Sequence, residues 1–291
     1  MRLKSIVASA AAALMVGVGI VGVGTATANP GKTIALGDSF MANPDIPAYL
    51  LSQVATEGMD LPDNVGTEGC GRDAHGIPQR LGELTGNTIV DYSCPGAVMA
   101  AEFHPNNIQA QVDRAIAENQ IADATEVIIM AGFNDSYKEM DMGVALADPA
   151  ASTDWGRKTT VSVGAAEHAV NTLREHNPNL SVKFVGYPQI VEPGTDNICP
   201  ANVVPGAQTR IPFAAATAME NWSNDMLTRA AANTGGQFVN VAAQTQGNHM
   251  CASDADRYVT GVIDTTNTGA QFPLHLTHTA NQAIAQMIKD A

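Results

Sequence analysis

Four short segments carry residue types that can do chemistry, and they occur in the order serine, glycine, asparagine, histidine. The first is Leu36-Gly37-Asp38-Ser39-Phe40, directly after an apolar β-type run. Ligands in open parallel sheets bind outside the carboxyl ends of strands, so Ser39 stands where a nucleophile can be presented. The others are Tyr92-Ser93-Cys94-Pro95-Gly96-Ala97, Gly132-Phe133-Asn134-Asp135 and Pro273-Leu274-His275-Leu276-Thr277-His278. A serine hydroxyl needs an adjacent base at neutral pH, and imidazole, with an unperturbed pKa of about 6.5, suits both halves of the proton transfer. Each residue also has a plain structural use. Asp38-Ser39 and Asn134-Asp135 can cap helices, Gly96 after Pro95 can be a turn residue, and His278 can start a helix or support a neighbouring group. The seven histidines include no HExxH pattern, although His275 and His278 stand three apart and can share a helical face.

Positioning such residues requires strands that end near one another. Short β-branched runs alternate with longer helical patterns, which predicts a parallel sheet with crossover helices. Five strands are expected at 33–36, 88–92, 126–131, 182–186 and 238–241, and helices at about 46–55, 108–119, 161–176, 212–232 and 279–289. The stretches 136–158 and 189–208 read as loops, and no repeat or linker divides the chain, so residues 29–291 are expected to form a single domain.

Residues 1–28 stand apart from that pattern. Arg2 and Lys4 precede an apolar run from Ile6 to Val23, and Ala26-Thr27-Ala28 offers a small-residue cleavage site, so this segment reads as a secretory signal peptide. The product is expected outside the cell or in the envelope. There the four cysteines are expected as disulfides, Cys70 with Cys94 and Cys199 with Cys251, each closing a moderate loop without a CxxC knuckle; a zinc site is the weaker alternative. Among 291 residues, 45% are hydrophobic and 15% charged, a folding composition. The net charge of −14 argues against nucleic acid or anionic lipid as partner.

The four segments together resemble the blocks of the SGNH (GDSL-type) hydrolase family, including its secreted bacterial esterases and lipases: Gly37-Asp38-Ser39, the segment ending Cys94-Pro95-Gly96-Ala97, Gly132-Phe133-Asn134-Asp135, and His275 with the helix that follows. Cys70-Gly71-Arg72-Asp73 before a short helix, Gly186-Tyr187-Pro188, and Cys251 running into Arg257-Tyr258 add to the likeness. The resemblance implies a flavodoxin-like three-layer α/β/α fold with a central five-stranded parallel sheet. It implies a serine carboxylester hydrolase in which Ser39 attacks an acyl ester and His275 moves the proton. An oxyanion hole would be formed by the backbone N–H groups of Ser39 and Gly96 and the side-chain amide of Asn134. Glycine permits close approach and asparagine donates without adding charge.

One block departs from the family. The position three before the catalytic histidine usually holds Asp and here holds Phe272. The backbone carbonyl of Phe272 or Pro273 is expected to orient the imidazole, with Asp264 a more distant candidate whose replacement by Asn would break only a surface contact. Neither metal nor cofactor is expected, nor a stable membrane anchor, and a monomer is expected. Loops 41–62, 136–160 and 189–210 are expected to rim the site, with Phe40, Met140, Met142 and Trp155 candidates for an acyl pocket. An acyl lipid or glycolipid substrate is favoured slightly over an O-acylated carbohydrate. Acyl transfer to another alcohol, or a catalytically silent acyl- or glycan-binding protein, are the alternative functions.

Overall fold

The computed structural model describes residues 30–55, 65, 69–267 and 272–291; the expected signal peptide and the 56–62 part of the first expected loop lie outside the described residues. Apolar runs form the centre of the sheet. Strand β1 (Lys32–Gly37) carries Ile34, Ala35 and Leu36 with no exposed surface, and β3 (Glu126–Met130) buries Val127 to Met130 equally completely. Burial on both faces is what continuous runs of this kind require. With β2 (Thr88–Asp91), β4 (Ser181–Val185) and β8 (Gln237–Val239) they make a five-stranded, all-parallel sheet in the order β2-β1-β3-β4-β8.

That order locates the functional edge. The chain moves one way along the sheet from β1 to β2, and the other way through β3, β4 and β8. Right-handed crossovers then put α3 (Ile77–Thr85) on one face and α4 (Ile108–Ala117), α7 (Trp155–His176) and α8 (Ala214–Thr234) on the other. The packing agrees: α7 lies against both α4 and α8, while α10 (His278–Asp290) lies against α3. The topological switch falls between β1 and β3, where a ligand cleft is expected. Short helices begin at this edge, α1 (Ser39–Ala42) after β1 and α5 (Phe133–Tyr137) after β3, and α2 (Ile46–Val54) follows α1.

The two expected loops are partly ordered. The stretch 136–160 holds the end of α5, a turn of helix α6 (Met142–Ala145) and the start of α7, six residues ahead of its expected position. Asp154 caps α7 by accepting from Arg157 N, and Lys158 buries its stem to reach the carbonyls of Asp135, Ser136 and Lys138 behind α5. Its polar sequence therefore hides a helix start with a buried cation. Within 189–212, β5 (Asn197–Ile198) pairs with β7 (Ile211–Pro212), and β6 (Ala201–Asn202) pairs with β9 (Ile263–Asp264). Val241, expected in the last strand, instead opens α9 (Val241–Gln244), because Asn240 accepts from Ala243 N and turns the chain. Both expected disulfides are formed, Cys70–Cys94 and Cys199–Cys251. No helix among the described residues is long and apolar enough to cross a membrane.

Candidate active site

The turn after β1 is held from both sides. Gln111 on α4 clasps the Gly37 backbone, its side chain accepting from Gly37 N at 2.8 Å and donating to Gly37 O at 2.9 Å. A Cβ at Gly37 would lie 2.6 Å from Met130 O, so only glycine lets β1 and β3 approach here. Asp38 is the N-cap of α1: its carboxylate accepts from Phe40 N at 2.9 Å and from the Tyr187 hydroxyl at 2.5 Å. Tyr187 in turn accepts from Phe133 N at 3.0 Å, which joins the ends of β1, β3 and β4. Burial pushes the Asp38 carboxyl up to about 7, against the lowering effect of those donors, and also raises the Tyr187 hydroxyl. Ser39, half-buried, borders the cavity above.

Gly96 has φ +78° and is exposed at the same cavity. This left-handed conformation suits glycine, and Asn106 Nδ2 fixes the turn by donating to Pro95 O at 3.2 Å. Asn134 lies inside α5 rather than at its cap, which is Gly132. Its Nδ2 donates to Ala97 O at 2.7 Å and its Oδ1 accepts from the Tyr137 hydroxyl at 2.6 Å. The amide is thus fixed at both ends with one of its two N–H groups left over. Asp135, pushed up to about 6 by burial, accepts from Met99 N, Ala100 N and Ser162 Oγ and ties the Gly96 segment to α5.

His275 precedes α10. Its Nδ1 lies 2.7 Å from Pro273 O, and since a carbonyl only accepts, Nδ1 carries the proton and Nε2 is left as the basic nitrogen. Nε2 is buried with no hydrogen-bond partner among the described residues, Ser39 Oγ included; such contacts often tighten only around substrate. Burial lowers the imidazole to about 4, against the raising effect of the Pro273 carbonyl. The other two candidate acceptors are engaged elsewhere. Phe272 O accepts from Thr260 Oγ1 and His275 N. Asp264 makes a two-pronged contact with Arg257 at 3.1 and 3.2 Å. The expectation that Asp264 is a surface contact is thus corrected: the Arg257 side chain has no exposed surface and that of Asp264 only 5%. His278 is the first residue of α10 and pairs with Asp73 at 3.0 Å, away from the cavity lining.

The cavity that joins Ser39, Gly96, Asn134 and His275 has a volume of about 490 Å³. Its apolar wall includes Ile198, Phe213, Ala216, Met219 and Met250, and the Cys199–Cys251 disulfide adjoins two of these in sequence. Of the expected acyl-pocket residues only Phe40 lines it, its ring packed on Phe133, Tyr187 and His275. Met140 belongs to a small core cluster, Met142 is exposed, and Trp155 packs on Trp222. Tyr49, Tyr137, Ile190 and Ile198 represent the three expected rim loops. Among the described residues no group of three His, Cys, Asp or Glu side chains is placed to hold a metal ion.

Sequence reasoning missed Asn43 and Tyr137. Asn43, at φ +36° behind α1, accepts from Leu276 N and donates to Leu276 O, both at 3.1 Å, and so fastens the serine helix to the residue after His275. The signals were present: Asn is among the few residues that tolerate the left-handed region at a helix end, and Tyr137 stands three after Asn134, on the same helical face.

The sequence model of the GDSL-like lipase/acylhydrolase family matches residues 35–283. No curated protein sequence matches the chain. Among solved structures it is similar to phospholipase A1 from Streptomyces albidoflavus (16% identity, TM-score 0.53, covering 89% of this chain and 97% of that one). It is also similar to an extracellular lipase from Streptomyces rimosus (14%, 0.56, 90% and 99%) and to a carbohydrate esterase family 2 enzyme from Corynascus thermopiles (14%, 0.50, 92% and 67%). At these identities the likeness concerns the fold.

Proposed function

Because the chain belongs to the GDSL-like lipase/acylhydrolase family and is a carboxylester hydrolase, we propose that Ser39 and His275 work as a pair oriented by the Pro273 carbonyl. Ser39 Oγ attacks the ester carbonyl while His275 Nε2 takes its proton; the C–O bond to the alcohol then breaks and Nε2 returns the proton to the departing oxygen. Water repeats the sequence on the acyl-enzyme and releases the acid. The tetrahedral oxyanion is held by the backbone N–H groups of Ser39 and Gly96 and by the remaining Nδ2 hydrogen of Asn134. Pro273 O fixes the tautomer but adds no negative charge, so the imidazolium is stabilised less than beside a buried carboxylate.

The observation that carries this reading is the His275 Nδ1–Pro273 O contact at 2.7 Å on the cavity that also holds Ser39 and Asn134. The apolar wall favours an acyl lipid or glycolipid as substrate. The enzyme acts outside the cell as a single domain, residues 29–291, after cleavage at Ala28, a location that two disulfides suit. Turnover of short-chain p-nitrophenyl esters by the parent and by Ser39→Ala tests the mechanism. A fall of several orders of magnitude is expected, and undiminished turnover by the variant would exclude Ser39 as nucleophile.

A further inference from the structure

A second cavity, about 680 Å³, adjoins the catalytic one and shares Tyr49 and Pro95 with it. The Tyr49 ring packs on Phe272 at 4.7 Å, and Phe272 packs on His275 at 5.0 Å. Of the two shared residues, Tyr49 thus reaches the imidazole through Phe272, and Pro95 precedes Gly96. In the mechanism above the alcohol oxygen leaves with a proton from His275 Nε2, so the alcohol half of the ester must lie on the imidazole side of the cleaved bond. The acyl half then falls toward the Ile198, Phe213 and Met219 wall.

The lining of the second cavity differs in kind. Gln53, His104, Asn106 and Arg114 supply polar groups, beside the Tyr92 and Tyr49 side chains. His104 Nδ1 accepts from Asn106 N at 3.1 Å, which leaves Nε2 carrying the proton of the neutral ring. The Arg114 guanidinium donates to Glu118 at 2.9 Å and stands 5.7 Å over the Tyr92 ring, so its charge is already matched. Among the described lining residues Arg114 stands without a lysine, and with a chain charge of −14 the cavity has little attraction for an anionic group. Uncharged donors and acceptors beside aromatic rings suit a hydroxyl-rich, neutral ligand.

We propose that this second cavity is the subsite for the alcohol half of the substrate, and that this half is an uncharged polyol such as a sugar. The proposal rests on the Ser39–His275 reading and deepens it: the substrate is an ester of a fatty acid with a sugar-like alcohol.

The test holds the acyl chain constant and varies the alcohol, comparing ethyl hexanoate, glucose monohexanoate and a hexanoyl lysophosphocholine. The parent is expected to show its highest kcat/KM on the glucose ester. Ala110 is exposed on α4 and lines the second cavity, so Ala110→Trp fills the space without touching the catalytic groups. That variant should lose about tenfold in kcat/KM on the glucose ester, the size of one or two hydrogen bonds, and His104→Ala should lose a similar factor. Ethyl hexanoate should be unaffected by Ala110→Trp. Equal losses on both esters, or no loss on the glucose ester, would overturn the proposal, and so would a larger loss on the phosphocholine ester. Failure of the parent to hydrolyse ethyl hexanoate or to react with a fluorophosphonate at Ser39 would instead bring down the catalytic reading, and this subsite with it.

Discussion

Replacing Asp264 by Asn separates two roles for the one carboxylate that sequence distance leaves open as a triad member. The structure gives that carboxylate to Arg257, through Nε at 3.1 Å and a second nitrogen at 3.2 Å, with the guanidinium fully enclosed. Removing one partner of a buried ion pair costs about 3–5 kcal/mol, because the remaining charge is stranded. Asp254 at 3.1 Å, Thr266 at 2.7 Å and Ala252 O at 3.3 Å still hold Arg257, so the loss should lie near the lower end, about 3 kcal/mol. Urea unfolding followed by tryptophan fluorescence reads that loss as a lower midpoint with an unchanged slope. Well below the midpoint, kcat/KM on a p-nitrophenyl ester should stay within a few-fold of the parent. His275→Ala should nearly abolish turnover with little change in the midpoint. A drop of about 10⁴ in kcat for Asp264→Asn with unchanged stability, as when a triad carboxylate is neutralised, would refute the assignment of Pro273 O as the orienting acceptor.

Tyr137→Phe removes the 2.6 Å bond that fixes the Asn134 amide; kcat should fall about tenfold at constant KM, against about 10²–10³ for Asn134→Ala, which deletes the donor. His275 is lowered to about 4 from an ordinary 6.5, so the folded enzyme keeps its base as pH falls, and the acid limb of kcat/KM should appear near 4. In the same window, from 6.5 down to 4, the unfolded chain takes up a proton that the folded one refuses, so this group's share of stability is lost as pH falls. Asp38 acts with the opposite sign, since its carboxyl is raised to about 7 from 3.8; its share is lost as pH rises through that range, and Asp38→Asn should flatten the slope in a pH series of unfolding midpoints. The Cys199→Ser/Cys251→Ser double variant opens a link spanning 52 residues, which chain entropy values at about 4 kcal/mol; it should also raise KM for long-chain more than for short-chain esters, because Ile198 and Met250 flank the bridge.

The central strands were legible because β1 and β3 are apolar runs buried on both faces, a pattern that does not depend on distant partners. The same holds for the chemistry-bearing ends of those strands, where Ser39 and Asn134 follow directly. Stretches whose structure is decided by partners far along the chain were not legible. Lys158 reads as an exposed charge until the α5 carbonyls are folded beneath it, and Asp264 reads as a loop residue until Arg257 is enclosed. Met140, Met142 and Trp155 have the right type for an acyl wall, but their directions are set by how α6 and α7 pack, and two of the three turn to core contacts. The wall comes instead from Phe213, Ala216 and Met219 at the start of α8, whose place depends on the β5–β7 pairing before it.

The most direct test of the central claim is reaction of the protein with a fluorophosphonate, with the adduct located by peptide mass spectrometry in the parent and in His275→Ala. A single stoichiometric adduct on Ser39 in the parent, formed far more slowly when His275 is removed, is the result predicted. An adduct on another residue, or equal rates of labelling in the two proteins, would contradict the Ser39–His275 pair.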